Sequence, residues 1–107
     1  MLLEIQEASE PRTFRLIGEM DISNAETLAA MLERKAEGEG DITLDLSELT
    51  FIDSSGIRVL LRAMDRLDGK GRLVLKSPTS SVRHVLSLMG LEDRGPIHVE
   101  AEGSQEQ

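Results

Sequence analysis

Between Asp41 and Leu67 the hydrophobic period of the chain changes once, and that change limits what can be built from it. "DITLDLS" alternates strictly, with Ile42, Leu44 and Leu46 on one side and Thr43, Asp45 and Ser47 on the other, the pattern of a strand with one wet face. From Gly56 onward Ile57, Leu60, Leu61, Met64 and Leu67 recur at helical spacing, while Arg58, Arg62, Asp65 and Arg66 lie elsewhere around the cylinder. "DGKG" then stops the helix. A strand that feeds directly into an amphipathic helix is the first half of a parallel crossover.

The flanking sequence repeats the theme. "LLEIQ" and "RTFRLIGE" place Leu3 with Ile5 and Phe14 with Leu16 at period two, two strands joined at the "SEPR" turn as a hairpin. "NAETLAAMLERKAEG" carries Ala25, Leu28, Ala29, Leu32 and Ala36 on one helical face, with Ser23 or Asn24 as N-cap. "RLVLKS" reads as a strand, "PTSSVRHVLSLMG" as a capped helix with Val82, Val85, Leu86 and Met89, and "PIHVE" as a last short strand. The alternation predicts an α/β domain with a mixed sheet of about five strands. Half-polar strands place its three or four helices mainly on one face, unlike a doubly wound nucleotide fold. Residues 1–101 form one domain in this reading, and 102–107 a frayed tail.

A chain of 107 residues with 39% hydrophobic and 30% charged residues has the balance of a single globular domain. The absence of cysteine excludes disulfides, thiolate metal sites and a thiol nucleophile, and fits a reducing compartment. Glu4 and Glu7 interrupt any signal-like apolar segment, and no apolar run approaches the roughly 20 residues a membrane span needs. A net charge of −8 repels phosphate backbones, and 2% aromatic residues leave little for bases to stack on. The expectation is a cytoplasmic protein with no nucleic-acid or membrane partner.

The junction itself, "TFIDSSGIRVLL", admits several readings. Asp53, Ser54 or Ser55 is an ordinary helix cap, and Gly56 lets the turn pack closely. A hydrolase elbow would need glycine two residues before Ser54, where Ile52 stands, and no spacing brings His84 or His98 to it. A phosphoacceptor Asp53 lacks the adjacent pair of acids that would hold magnesium, and "GKG" lacks the spacing and hydroxyl of a phosphate loop. No catalytic or metal residues and no cofactor are expected. A regulatory serine fits the physics: on the first turn of a helix, phosphate meets the positive dipole end and its unpaired amides, with Arg58 four residues on from Ser54.

Three segments together resemble the anti-sigma factor antagonists, small proteins made of one STAS domain (sulfate transporter and anti-sigma factor antagonist). "RLIGEMDISNAETL" is similar to that family's second strand and following loop, "LDLSELTFIDSSGIRVLL" to its phosphoserine signature, and "SPTSSVRHVLSLMGL" to its last long helix. The resemblance implies the STAS fold and a switch. The unphosphorylated antagonist binds an anti-sigma factor serine kinase and frees the sigma factor; phosphorylation by that kinase, with ATP and magnesium, reverses binding, and a metal-dependent serine phosphatase restores it. Carried over by position, the acceptor is Ser54, with Ser55 as second choice. Asp53, Ser55 and Gly56 complete the loop, and Ile57 and Arg58 extend the partner surface from the exposed start of the helix. Asp21 is implied to lie near the acceptor and contact the kinase. Asp21 also fits a plain turn or cap residue, and Ile57 also fits the core. The alternative within the family is a non-switching STAS module of a stress-signalling assembly or a lipid-transport system, with Ser54 only a cap.

Overall fold

The two N-terminal strand patterns close as a hairpin. β1 (Leu3–Glu7) runs antiparallel to β2 (Thr13–Met20), with Leu3 opposite Gly18 and Glu7 opposite Phe14. In this computed structural model, which describes residues 2–35, 37–92 and 95–100, every later strand is reached through a helix. α1 (Ala25–Lys35) leads to β3 (Ile42–Ile52), α2 (Ser54–Leu67) to β4 (Leu73–Lys76), and α3 (Ser80–Leu88) to β5 (Ile97–Glu100). The sheet order is β1-β2-β3-β4-β5, and each pairing from β2 to β5 is parallel. The expected mixed sheet of five strands is observed, with three helices among the described residues.

Parallel strands in sequence order return each right-handed crossover over the same face of the sheet. Burial agrees. One apolar cluster joins Phe14 and Leu16 of β2, Ile42, Leu44 and Leu46 of β3, Leu73 and Leu75 of β4 and Ile97 of β5 to the inner faces of all three helices. α1 contributes Leu28 and Leu32, α2 Ile57, Leu60 and Leu67, and α3 Val82 and Leu86. The outer face of the sheet is mixed, with Ile17 and Val74 beside an ion-pair group in which Arg15 stands opposite Asp45 in register and pairs with it at 3.3 Å, and with Glu48 at 3.7 Å.

α2 ends where "DGKG" predicted, at Asp68, which takes the left-handed conformation (φ 49°). Two expectations for α3 change. Met89 comes after the last helical turn and is 49% exposed, so the buried stripe is narrower than its spacing suggested. Thr79 occupies the N-cap position, but its hydroxyl donates to the carbonyl of Leu49 at 2.8 Å instead of capping its own helix. Ser81 does the same to Thr50 at 3.2 Å, so the helix is fastened to β3. Ala36 and the tail expected at 102–107 lie outside the described residues.

Candidate functional site

β3 reaches the site by breaking its own alternation. From the pair Arg15 and Asp45 to the pair Ile17 and Glu48, β2 advances two residues and β3 three; from Gly18 and Leu49 to Glu19 and Phe51, β2 advances one and β3 two. Each step inserts one extra residue into β3, a bulge that re-aims the side chains beyond it. Leu46, Leu49 and Ile52 are consequently all buried although they are three residues apart, while Thr50 and Phe51 face outward. The strand then delivers Asp53 beside the end of β2, where its N–H donates to the carbonyl of Met20 at 3.2 Å.

Asp53 is the cap of α2. Its backbone is extended, and its Oδ1 accepts the N–H of Ser55 at 2.9 Å, the hydroxyl of Ser55 at 2.5 Å and the N–H of Gly56 at 3.3 Å. Its carbonyl accepts the N–H of Ile57 at 3.0 Å. The Ser55 hydroxyl bond, joined by the two amides and opposed by partial burial, holds the Asp53 carboxyl below the usual aspartate value. The helix therefore starts at Ser54, two residues before the apolar spacing begins at Gly56.

Ser54 and Ser55 are thereby made unequal. The Ser55 hydroxyl is tied down by Asp53, whereas Ser54 is exposed and its hydroxyl has no hydrogen-bond partner among the described residues. Gly56 is buried against the sheet end: a Cβ there would stand 2.7 Å from both Ile52 Cγ1 and Met20 Sδ. Ile57 is only 2% exposed and belongs to the core, which corrects its expected place on the exposed helix start. The helical turn carries it inward with Leu60, while Arg58, one residue on, is exposed and forms no ion pair among the described residues. The expectation that a phosphate would meet unpaired amides also changes, because Asp53 already occupies those of Ser55, Gly56 and Ile57.

Asp21 ends β2 as Asp53 ends β3. Its Oδ1 accepts the N–H of Ser23 at 2.9 Å and the Ser23 hydroxyl at 2.6 Å, so its carboxylate builds a turn. Asn24 stands at the cap position of α1, but its side chain braces the loop instead: Oδ1 accepts from the Asp21 N–H at 3.1 Å, and Nδ2 donates to the Glu19 carbonyl at 2.8 Å. Between the first turns of α1 and α2 lies a cleft of about 180 Å³ with Ile22, Ala25 and Val59 as apolar wall and Glu26, Arg58 and Arg62 at its rim. A wider depression of about 630 Å³ lies along α1 toward its C-terminal end, against Ile5 and Phe14, and involves none of the site residues.

Sequence reasoning brought Asp21, Asp53, Ser54, Ser55, Gly56 and Arg58 to one end of the sheet and overlooked Ile22, which is 82% exposed beside them. The signal was present in part: Asp-X-Ser recurs at 21–23, 45–47 and 53–55, and the first and last of these directly follow the ends of β2 and β3 whereas 45–47 lies inside β3. The histidines stay apart. His98 is paired with Val74 in β5, which β4 separates from β3, and His84 is exposed on α3.

Fold and site together define a small α/β binding module. The family model of the STAS domain matches residues 3–102, and the chain belongs to the STAS domain family, among its anti-sigma factor antagonists. It is 33% identical over 100 residues to the anti-sigma F factor antagonist of Lysinibacillus sphaericus, covering 90% of this chain and 82% of that one. It is 36% identical over 84 residues to BtrV of Bordetella bronchiseptica, covering 77% of this chain and 72% of the other. Among solved structures, the anti-sigma factor antagonist SpoIIAA in its unphosphorylated form superimposes with a TM-score of 0.73 at 22% identity, over 98% of this chain and 93% of that chain. Its phosphorylated form, described as a Bacillus cell fate determinant, gives 0.66 at 24% identity, over 98% and 96%. At that identity the superposition establishes the shared fold.

Proposed function

We propose that this anti-sigma factor antagonist works by partner switching at Ser54. Unphosphorylated, it binds an anti-sigma factor serine kinase in the cytoplasm and so frees a sigma factor; phosphorylation of Ser54 by that kinase ends the binding, and a serine phosphatase resets it. The chain itself performs no catalysis. The observation that carries this reading is the inequality of the two serines: Ser54 is exposed and unbonded among the described residues, while Ser55 is held by Asp53.

The physics of the switch is local. A phosphoryl group adds about −1.5 to −2 charge. At Ser54 that charge arrives beside the Asp53 carboxylate, which already accepts three hydrogen bonds, so the phosphate projects to solvent, with Arg58, which forms no ion pair among the described residues, four residues on along the helix. The fold is retained and the exposed surface gains negative charge and bulk, which is how a modification abolishes docking without unfolding the protein.

The test is titration of the purified kinase with wild type, Ser54→Ala and Ser54→Asp. Switching requires that wild type and Ser54→Ala bind alike and that Ser54→Asp binds weakly, all three with the same circular-dichroism spectrum. Equal binding by all three would replace the switch with a non-switching binding module.

A further inference from the structure

Two neighbouring strands of this sheet end in the same turn. β2 runs into Asp21-Ile22-Ser23 and β3 into Asp53-Ser54-Ser55; in both, the aspartate Oδ1 accepts the N–H and the hydroxyl of the serine two residues on. The turns are side by side, since Met20 is the register partner of Ile52 and the Met20 carbonyl accepts the Asp53 N–H. Each turn pushes its middle residue into solvent. In one that residue is Ser54, and in the other it is Ile22, 82% exposed.

Nothing in the turn chemistry calls for an apolar residue at position 22, and leaving isoleucine in water forgoes the stabilisation that burial would give. The loop nevertheless fixes it there, braced by Asp21 on Ser23, by Asn24 on the Asp21 amide and by Asn24 on the Glu19 carbonyl. A loop whose backbone is already braced has less freedom left to lose when a partner covers its apolar residue. Beside it lies the cleft walled by Ala25 and Val59, with Arg58 at the rim and without an ion pair among the described residues.

We propose that Ile22 is an apolar anchor of the surface that presents Ser54: the anti-sigma factor kinase receives Ile22 in an apolar pocket and sets a carboxylate against Arg58. Asp21 is then a positioning residue, holding Ile22 through Ser23, and its charge does not itself meet the kinase. The inference rests on the partner-switching reading of Ser54. It also supplies the reason phosphorylation releases the partner, because a dianion on one turn is set into a contact that must lose its water around the other.

The experiment titrates the purified, ATP-binding anti-sigma factor kinase of the source organism by calorimetry with wild type and with Ile22→Ala, Ile22→Asp, Arg58→Glu, Asp21→Ala, Asp21→Asn and Ser54→Asp. Ile22→Ala is expected to weaken binding about tenfold or more, and Ile22→Asp further, with thermal melts unchanged because the side chain packs against so little. Asp21→Asn keeps an oxygen for Ser23 and is expected to bind like wild type, while Asp21→Ala loses as much as Ile22→Ala. Arg58→Glu is expected to weaken binding as well. Wild-type affinity in both Ile22 variants, alongside loss in Ser54→Asp, overturns the anchor and leaves the Ser54 switch standing. Equal loss in Asp21→Asn and Asp21→Ala overturns the positioning role in favour of a direct charge contact. Wild-type affinity in Arg58→Glu overturns the facing carboxylate. A wild type that does not bind the kinase overturns the anchor together with the switch.

Discussion

Asp53 and Ser54 sit side by side and carry different kinds of weight. The Asp53 carboxylate oxygen gathers two amides and a hydroxyl at the head of α2, so Asp53→Ala is expected to cost about 0.5–2 kcal/mol in urea unfolding, with Asp53→Asn retaining most of the cap. Ser54→Ala is expected to change stability by less than about 0.5 kcal/mol, because the hydroxyl it removes has no partner among the described residues. A loss near 1 kcal/mol in that variant would mean that Ser54, and not Asp53, caps the helix. The two measurements together separate the residue that builds the turn from the residue the turn displays.

At the scale of the elements, the site depends on how closely the first turn of α2 sits on the ends of β2 and β3. Gly56 makes that approach possible, with room for no Cβ between it and Ile52 and Met20. On an exposed helix Gly→Ala would stabilise by up to about 1 kcal/mol. Here Gly56→Ala is expected to destabilise by about 1–3 kcal/mol through overpacking, and the sign of the change in a denaturant titration decides the matter. α3 offers a second case. Thr79 ties its N-terminus to the Leu49 carbonyl, between the two bulges of β3, so Thr79→Val is expected to cost about 0.5–1.5 kcal/mol by leaving that carbonyl without its donor. The stretch of β3 that precedes the site is thus held from both sides, by β2 and by α3.

At the scale of the whole molecule, three aspartates among the described residues have carboxyls held below their ordinary value near 3.8: Asp41 mainly by the Arg72 amide, Asp45 by the Ser47 and Arg15 bonds that outweigh its desolvation, and Asp53 mainly by the Ser55 hydroxyl. A carboxyl depressed in the folded state binds fewer protons there than when unfolded, so its contribution is complete above the unfolded value and is lost as pH falls through the folded one. Thermal melts stepped from about pH 6 to about pH 3 are expected to fall most steeply below the ordinary aspartate range, and Asp53→Asn is expected to flatten part of that loss. The chain's order of strands and helices was legible in its sequence, because the periods of "DITLDLS" and of the stripe from Ile57 to Leu67 are set by which side of each element is apolar, a local property. So was the turn that displays Ser54, since Asp-Ser-Ser-Gly is a capping sequence wherever it occurs. Only the tertiary structure decided that Ile57 faces inward, that two bulges carry β3 past its own alternation, and that Asp21 and Asp53 end adjacent strands in one turn. Each of these depends on register between segments some thirty residues apart, and register is fixed by the pairing of strands and the packing of helices on them, which no local pattern encodes.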